Sequence, residues 1–345
     1  MKITNYNKIA IFNTAYLGDI ILSFFLAQEI KNIHPQCKIT FVTTPNVKDL
    51  IPLIKAIDYV LFYDKRKEDR GYAGFSKIIA ELKKNKFDIL FVPHRSLRST
   101  LISFLSKPII SVSFLNSSLS FLYSKRVEYL FHQHEIERNL ELLTPFDEFK
   151  RGEQMPKVEI TFPENFAQNI HSKTKLNFNS NKTVSIAPGS VWKTKQWTID
   201  GFTKVAKILS SRNYQVVLIG GESDFELCKH ISEESNSHNL AGKLTLGESL
   251  FIIKSSELLI TNDSSPTHLA TLAGCPTITI YGPTIPEFGF YPRAPRSKVV
   301  QLDNLGCRPC SMHGYNECPL GHHKCMKEIS AEEVLSAAQT ILDIN

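Results

Sequence analysis

Asp263-Ser264-Ser265-Pro266 follows directly on the apolar run 258–262 and opens a helical pattern that Gly274 and Pro276 stop. Serine is a good helix cap, and proline suits the first helical turn, where no backbone N–H is needed. A helix that starts at the carboxyl end of a strand aims free N–H groups and the positive end of its dipole at one point. Such a point holds a phosphate or a carboxylate. Without a ligand the same residues are only a capped helix. Far upstream, Gly18-Asp19 lies between a strand at 8–12 and an amphipathic helix at 20–33. Gly18 permits close backbone approach, and Asp19 stands at the helix start either as a capping acid or on the rim of a cleft. Arg95 and Arg98 follow a strand at 88–92 and suit pairing with phosphate or with the carboxylates of an acidic sugar. Gly220-Gly221, after the apolar strand 216–219, suits a turn touching a nucleotide.

Cys307, Cys310, Cys318 and Cys325 are spaced C-x2-C-x7-C-x6-C in a loop rich in Gly, Pro and His. Four thiols so close in a reducing compartment fit a structural zinc site or redox-active pairs, with His322 and His323 as substitute ligands. Cys37, Cys228 and Cys275 are scattered and fit buried or free thiols. His132 and His134 stand before a helix without a third ligand at firm spacing and fit capping or solvent-facing roles.

These residues must be positioned by alternating strands and helices. Strands are predicted at 8–12, 38–43, 59–62 and 88–92, with helices at 20–33, 46–55 and 75–84; the mixed-charge run 64–70 fits a solvated loop. A polar stretch at 147–157 marks a linker, after which a helix at 164–173 and a strand at 184–187 lead into the Gly- and Trp-bearing loop 188–197. A helix at 199–212 follows, and one at 331–342 ends the pattern. Alternation in both halves predicts an α/β chain with two Rossmann-like, mostly parallel sheets facing each other across a cleft. The domains expected are 1–150 and 157–329, the second carrying the Cys-rich loop 305–326, with 330–345 a terminal helix that crosses back to the first domain.

With 345 residues, 42% hydrophobic and 21% charged, the chain has enough apolar material for two globular cores. Its net charge of +6, from 40 basic against 34 acidic residues, suits anionic substrates or an anionic membrane surface. It is too small, without a basic aromatic stripe, for a dedicated nucleic-acid binder. The amino terminus lacks a secretory apolar core, and no apolar stretch reaches the roughly 20 residues that span a bilayer, so the expected location is cytoplasmic. The segment 101–122 is apolar but broken by Lys107, Pro108 and serines, which fits a buried strand with flanking loop better than a membrane-touching face. There is no Asp-x-Asp pair of the kind that holds a metal on a diphosphate, and no GxGxxG fingerprint.

Three separated motifs resemble the ADP-heptose:lipopolysaccharide heptosyltransferases, glycosyltransferase family nine. They are Leu17-Gly18-Asp19, the loop Pro188-Gly189-Ser190 to Lys195, and Asn262-Asp263-Ser264-Ser265-Pro266 with His268-Leu269-Ala270 and Tyr281-Gly282-Pro283-Thr284. Ser265 stands where the family usually has glycine. The resemblance covers nearly the whole chain and implies the two-domain glycosyltransferase B fold. It further implies that Asp19 is the catalytic base, that Lys195 and the turn Gly189-Ser190 lie against the donor phosphates, and that Asp263, Ser264, Ser265 and His268 belong to the donor site. Arg95 and Arg98 fall in the acceptor-side loop, and the Cys-rich segment is similar to a tail found in part of the family. The implied reaction is inverting transfer of heptose from ADP-L-glycero-D-manno-heptose to the lipopolysaccharide inner core, or to a lipid A-linked acceptor, without a catalytic metal. Peripheral contact with the cytoplasmic face of the inner membrane accords with such an acceptor. The same motifs also fit a family member using another sugar nucleotide or acceptor, and a nucleotide-sugar-binding protein that has lost its chemistry.

Overall fold

A computed structural model describes residues 1–152, 154–178 and 182–342. The chain divides into two compact units, residues 1–161 and 162–345. The boundary therefore falls after the stretch 147–157 expected to be a linker; Glu153, within that stretch, and residues 343–345 of the expected terminal segment lie outside the described residues. Residues 158–161 belong to the first unit because Lys55 and Thr161 exchange backbone hydrogen bonds with Glu159 and Leu53, and Ile54 bridges Ile160.

In the first unit β1 (Lys8–Phe12) is followed by α1 (Leu17–Leu22), α2 (Phe24–Ile33), β2 (Lys38–Thr43), β3 (Tyr59–Phe62) and α3 (Gly71–Asn85). Then come β4 (Ile89–Phe91), α4 (Leu97–Ser106), β5 (Ile110–Phe114), β6 (Lys125–Val127) and α5 (Glu135–Glu141). The strands form one parallel sheet in the order β3-β2-β1-β4-β5-β6. Its central strands are buried along nearly their whole length, as expected for a parallel sheet covered on both faces.

Two local expectations change, and that of a capping role for His134 is met. The helix predicted at 20–33 starts earlier, at Leu17, and is broken at Ser23, whose hydroxyl donates to the carbonyl of Ile20 at 2.7 Å and accepts from Asn13 Nδ2 at 3.2 Å. No α-helix spans 46–55; two short 3-10 turns, Pro45–Val47 and Ile51–Leu53, stand there, because Pro52 lacks the N–H a longer helix needs. His134 caps α5 in a reciprocal box, accepting from Ile136 N while its own N–H donates to Glu137, so it acts as a cap and not as a metal ligand.

The second unit runs α6 (Phe166–Thr174), β7 (Thr183–Ala187), α7 (Ile199–Ser211), β8 (Gln215–Leu218), α8 (Phe225–Ser235), β9 (His238–Asn239) and α9 (Leu246–Lys254). After these follow β10 (Leu258–Asn262), α10 (Ser265–Ala273), β11 (Thr277–Tyr281), β12 (Lys298–Gln301), α11 (Lys324–Lys327) and α12 (Ala331–Leu342). This sheet is also parallel, in the order β12-β11-β10-β7-β8-β9. Gly274, at φ +71°, ends α10 in the left-handed conformation that glycine adopts without strain. The terminal helix α12 lies on the second unit: Val334, Ala338 and Ile341 join the core of Val205, Leu209, Ile260 and Ile278. No helix among the described residues is long and apolar enough to cross a membrane.

In both sheets the strand order reverses beside the first strand of the unit, between β1 and β4 and between β10 and β7. Loops leaving the carboxyl ends of strands at such a switch point form a crevice that binds ligands. These loops begin at Asn13 and Val92 in the first unit, and at Pro188 and Asp263 in the second.

Candidate functional site

In the second unit the buried side chain of Asn262 ties the two switch-point loops together. Its Oδ1 accepts from Trp197 N at 2.9 Å and its Nδ2 donates to the carbonyl of Pro188 at 2.7 Å. The indole of Trp197 donates to the carbonyl of Ile329 at 3.1 Å and packs edge-on against Phe202, so this tryptophan is a core residue. Held by that frame, Lys195 reaches the start of α10, where Nζ lies 2.5 Å from Asp263 Oδ2. Both side chains are largely buried. The same carboxylate oxygen accepts from Thr284 Oγ1 at 2.6 Å, which joins the Tyr281-Gly282-Pro283-Thr284 motif to the ion pair.

Ser264 is the N-cap residue of α10, but no side-chain cap bond forms; its hydroxyl donates instead to the carbonyl of Asn262 at 3.3 Å. The expected serine cap is thus corrected; Thr267 N donates to the carbonyl of Ser264 at 3.0 Å and Pro266 has no N–H, so in the first turn of α10 the Ser265 amide is left for another acceptor. Ser265 has no left-handed backbone, so the position does not require glycine for its conformation. One turn on, His268 is buried among Phe290 and the Asp263–Lys195 pair. Burial pushes it down to about 4, which keeps the imidazole neutral near pH 7. Among the described residues its Nδ1 has no hydrogen-bond partner.

The glycines predicted to touch a nucleotide have another neighbour. A Cβ on Gly189 or Gly220 would overlap the side chain of Asp224, whose Oδ2 also accepts from Gly221 N at 2.9 Å. Both glycine turns are close-packed around this one carboxylate, and Asp224 was not singled out in the sequence. Ser190, partly exposed, offers its carbonyl to Gln196 Nε2 at 2.9 Å.

In the first unit Gly18 and Asp19 lie in the first turn of α1. Burial first, and then the charge of Glu135, raise the Asp19 carboxyl to about 7, against the opposing charge of Arg95. Arg95 stacks over the Tyr129 ring with its guanidinium carbon 3.9 Å from the centroid. Tyr129 in turn donates to Glu135 at 2.8 Å and accepts from Arg138 at 3.0 Å. Asp19 and Arg95 are therefore within electrostatic reach of each other. The supporting group Glu135, Tyr129 and Arg138 carries no signal in the sequence beyond its place at a helix start. Arg98 points elsewhere, exposed and donating to Tyr63 OH at 2.9 Å. Lys65, read as part of a solvated charge run, is half-buried; desolvation, then Arg66 and Arg98, hold its ammonium below the ordinary value.

The Cys-rich loop packs on the Lys195 turn. Cys307, Cys310 and Cys318 are partly exposed and Cys325 is buried. Burial first, and then the nearby Cys310, raises the Cys325 thiol to about 11. Among the described residues no three His, Cys, Asp or Glu side chains are grouped to hold a metal ion, so the arrangement does not fit the expected zinc site.

Comparison with known proteins gives a consistent result. A model of glycosyltransferase family 9 (heptosyltransferase) matches residues 75–320. Lipooligosaccharide heptosyltransferase 2 of Campylobacter jejuni is 35% identical over 175 residues, covering 48% of this chain and 52% of that protein. The chain spans about half the length of the curated relatives first matched, 52% and 50%. Among solved structures, a family 9 glycosyl transferase of Veillonella parvula superposes with a TM-score of 0.85 at 23% identity, covering 99% of this chain and 98% of that one. An ADP-heptose lipopolysaccharide heptosyltransferase II of Escherichia coli gives 0.79 at 21% identity over 97% and 98%. Two parallel Rossmann-like sheets of this kind are the glycosyltransferase B architecture.

Proposed function

We infer that this chain, which belongs to glycosyltransferase family 9 (heptosyltransferase), transfers heptose from ADP-L-glycero-D-manno-heptose to the lipopolysaccharide inner core with inversion. The observation that carries the reading is the meeting of Lys195 with Asp263 and the uncapped start of α10. An ammonium and a helix-start amide converging at a strand end match a diphosphate leaving group, on which charge builds as the glycosidic bond breaks. In the first unit, Asp19 is the base that removes the acceptor hydroxyl proton, and the freed oxygen attacks the anomeric carbon as ADP departs. Its raised carboxyl suits the task, since a base poised near neutrality takes a proton more readily than an ordinary aspartate. Arg95, beside Asp19, suits an anionic group on the acceptor, and Arg98 with Lys65 extends the positive surface. Gly18 allows the donor close to the backbone, and with Gly189, Ser190, Gly220, Gly221 and His268 it belongs to the donor site in this reading.

The test is ADP release by purified protein given ADP-heptose and a truncated lipopolysaccharide acceptor, with UDP- and GDP-sugars alongside. Release requiring both ADP-heptose and acceptor is expected. Release from another sugar nucleotide would move the substrate, and none from any donor would remove the transferase reading.

The acceptor is lipid-anchored in this reading, and the first unit has a surface suited to that. Phe104, Ile109, Leu115 and Phe121 are half or more exposed, with Lys107, Lys125 and Arg126 exposed beside them in sequence. The buried-strand expectation for 101–122 thus holds only for β5. Exposed apolar side chains flanked by cations suit the interface of an anionic bilayer. Sedimentation with phosphatidylglycerol vesicles is expected to exceed that with phosphatidylcholine, and Ile109→Ser with Phe121→Ser to weaken it about tenfold. Equal sedimentation of the double variant would remove the surface from consideration.

A further inference from the structure

We propose that the Cys-rich loop, through Thr194, Tyr315 and His323, positions Lys195 for the donor diphosphate; this rests on the donor assignment above. Lys195 ends a 3-10 turn of three residues, Lys193–Lys195, too short to hold its own geometry. On its far side the chain is fixed by the bonds of Gln196 to Ser190 and of Trp197 to Asn262. On its near side the turn is held by the loop. Thr194 Oγ1 donates to the carbonyl of Tyr315 at 2.8 Å and accepts from Tyr315 N at 2.8 Å, and Thr194 N donates to the same carbonyl at 3.0 Å. His323 Nε2 lies 2.8 Å from the carbonyl of Thr194. Gly314, at φ +96°, lies against the aliphatic stem of Lys195, where a Cβ would come within 3.0 Å of Cγ. A cavity of about 360 Å³, lined by Thr194, Asn316, Cys318, His323 and Lys327, lies beside the turn.

The other end of the loop is fastened to the same ion pair. Arg308 donates to the carbonyls of Gly282 and Thr284, and Cys310 N donates to the carbonyl of Pro283 at 2.9 Å. Thr284 donates to Asp263, and Asp263 meets Lys195. The contacts close a ring: loop to Thr284, to Asp263, to Lys195, to Thr194 and back to the loop. Thr194, Tyr315 and His323 act on the ligand only through Lys195.

Calorimetric titration of ADP into the full-length protein tests this. Thr194→Val, which keeps the shape and leaves Tyr315 N without its acceptor, is expected to weaken ADP binding about tenfold. Thr194→Ser restores the hydroxyl and is expected to bind within about twofold of the parent. Lys195→Ala weakens ADP further, and adding Thr194→Val to it changes nothing more, because the clamp has lost the side chain it places. Binding by Thr194→Val equal to the parent overturns the proposal, as does an equal, additive loss in the Lys195→Ala background, which a merely structural role would give. Parent-like ADP binding by Lys195→Ala overturns the donor assignment itself, a separate and recognisable failure.

Discussion

Asp19→Asn lowers kcat about a thousandfold and leaves ADP affinity within about twofold. Asparagine keeps the size of the side chain and its place in the first turn of α1 but cannot take a proton. The groups assigned to the donor phosphates all lie in the second unit, so binding of ADP reads a different part of the chain. The pH profile carries the same assignment. With the carboxyl raised to about 7, Asp19 must lose its proton before it can act, so kcat rises with pH up to that region and levels above it. At pH 6 only about a tenth of the base is ionised. Glu135→Gln removes the second-largest cause of the shift and moves the break to lower pH, whereas burial remains. Steady-state rates with saturating substrates from pH 5.5 to about 8.5 measure both effects. Normal turnover by Asp19→Asn would take the base away from Asp19, and an unmoved break in Glu135→Gln would show that Glu135 does not tune it.

Asp263→Ala destabilises the second unit by about 3 kcal/mol. The Lys195 side chain is only 12% exposed, and removing its partner leaves an ammonium that water reaches poorly, while Thr284 loses the acceptor of its hydroxyl. Breaking one half of a buried pair costs more than the pair contributes, because the orphaned charge keeps its desolvation penalty. In a unit of this size the loss appears as a fall in Tm of about 6–12 °C. Replacing both partners, Asp263→Ala with Lys195→Met, is expected to recover most of it. ADP should also stabilise Asp263→Ala more than the parent, since in the resting protein the carboxylate competes with the diphosphate for Lys195. Calorimetric melting with and without ADP measures all three. A single variant melting within about 1 °C of the parent would mean that the pair is solvated enough to be replaceable by water.

Much of this was legible beforehand for a physical reason. Parallel strands buried on both faces read as apolar runs, and Gly274 and Pro276 mark a helix end because only certain backbones permit them. Asp19, Arg95 and Asp263, at strand ends in switch-point loops, could be located from the order of elements, whereas Lys195 was marked only by the family resemblance. What local sequence does not carry is which distant side chain arrives beside them. Glu135 looks like any acid at a helix start, and Lys65 like part of a solvated run, until the fold buries both near the site. Ser264 has a capping residue's identity, yet its hydroxyl bonds backward to Asn262. Ser23 breaks a helix that its apolar periodicity would continue, since Asn13 competes for its side chain.

Asp224 occupies the space that side chains at Gly189 and Gly220 would need. The three positions are therefore inherited as one word. An alanine at either glycine meets a steric veto that is written not at that position but at 224; losing the carboxylate there removes the atoms that crowd position 189, whereas at 220 the Cβ of residue 224 itself stands 2.8 Å away and keeps the veto. Tolerance to change in these turns is a property of genetic background, so two relatives can differ in which glycine they could lose while keeping the same backbone.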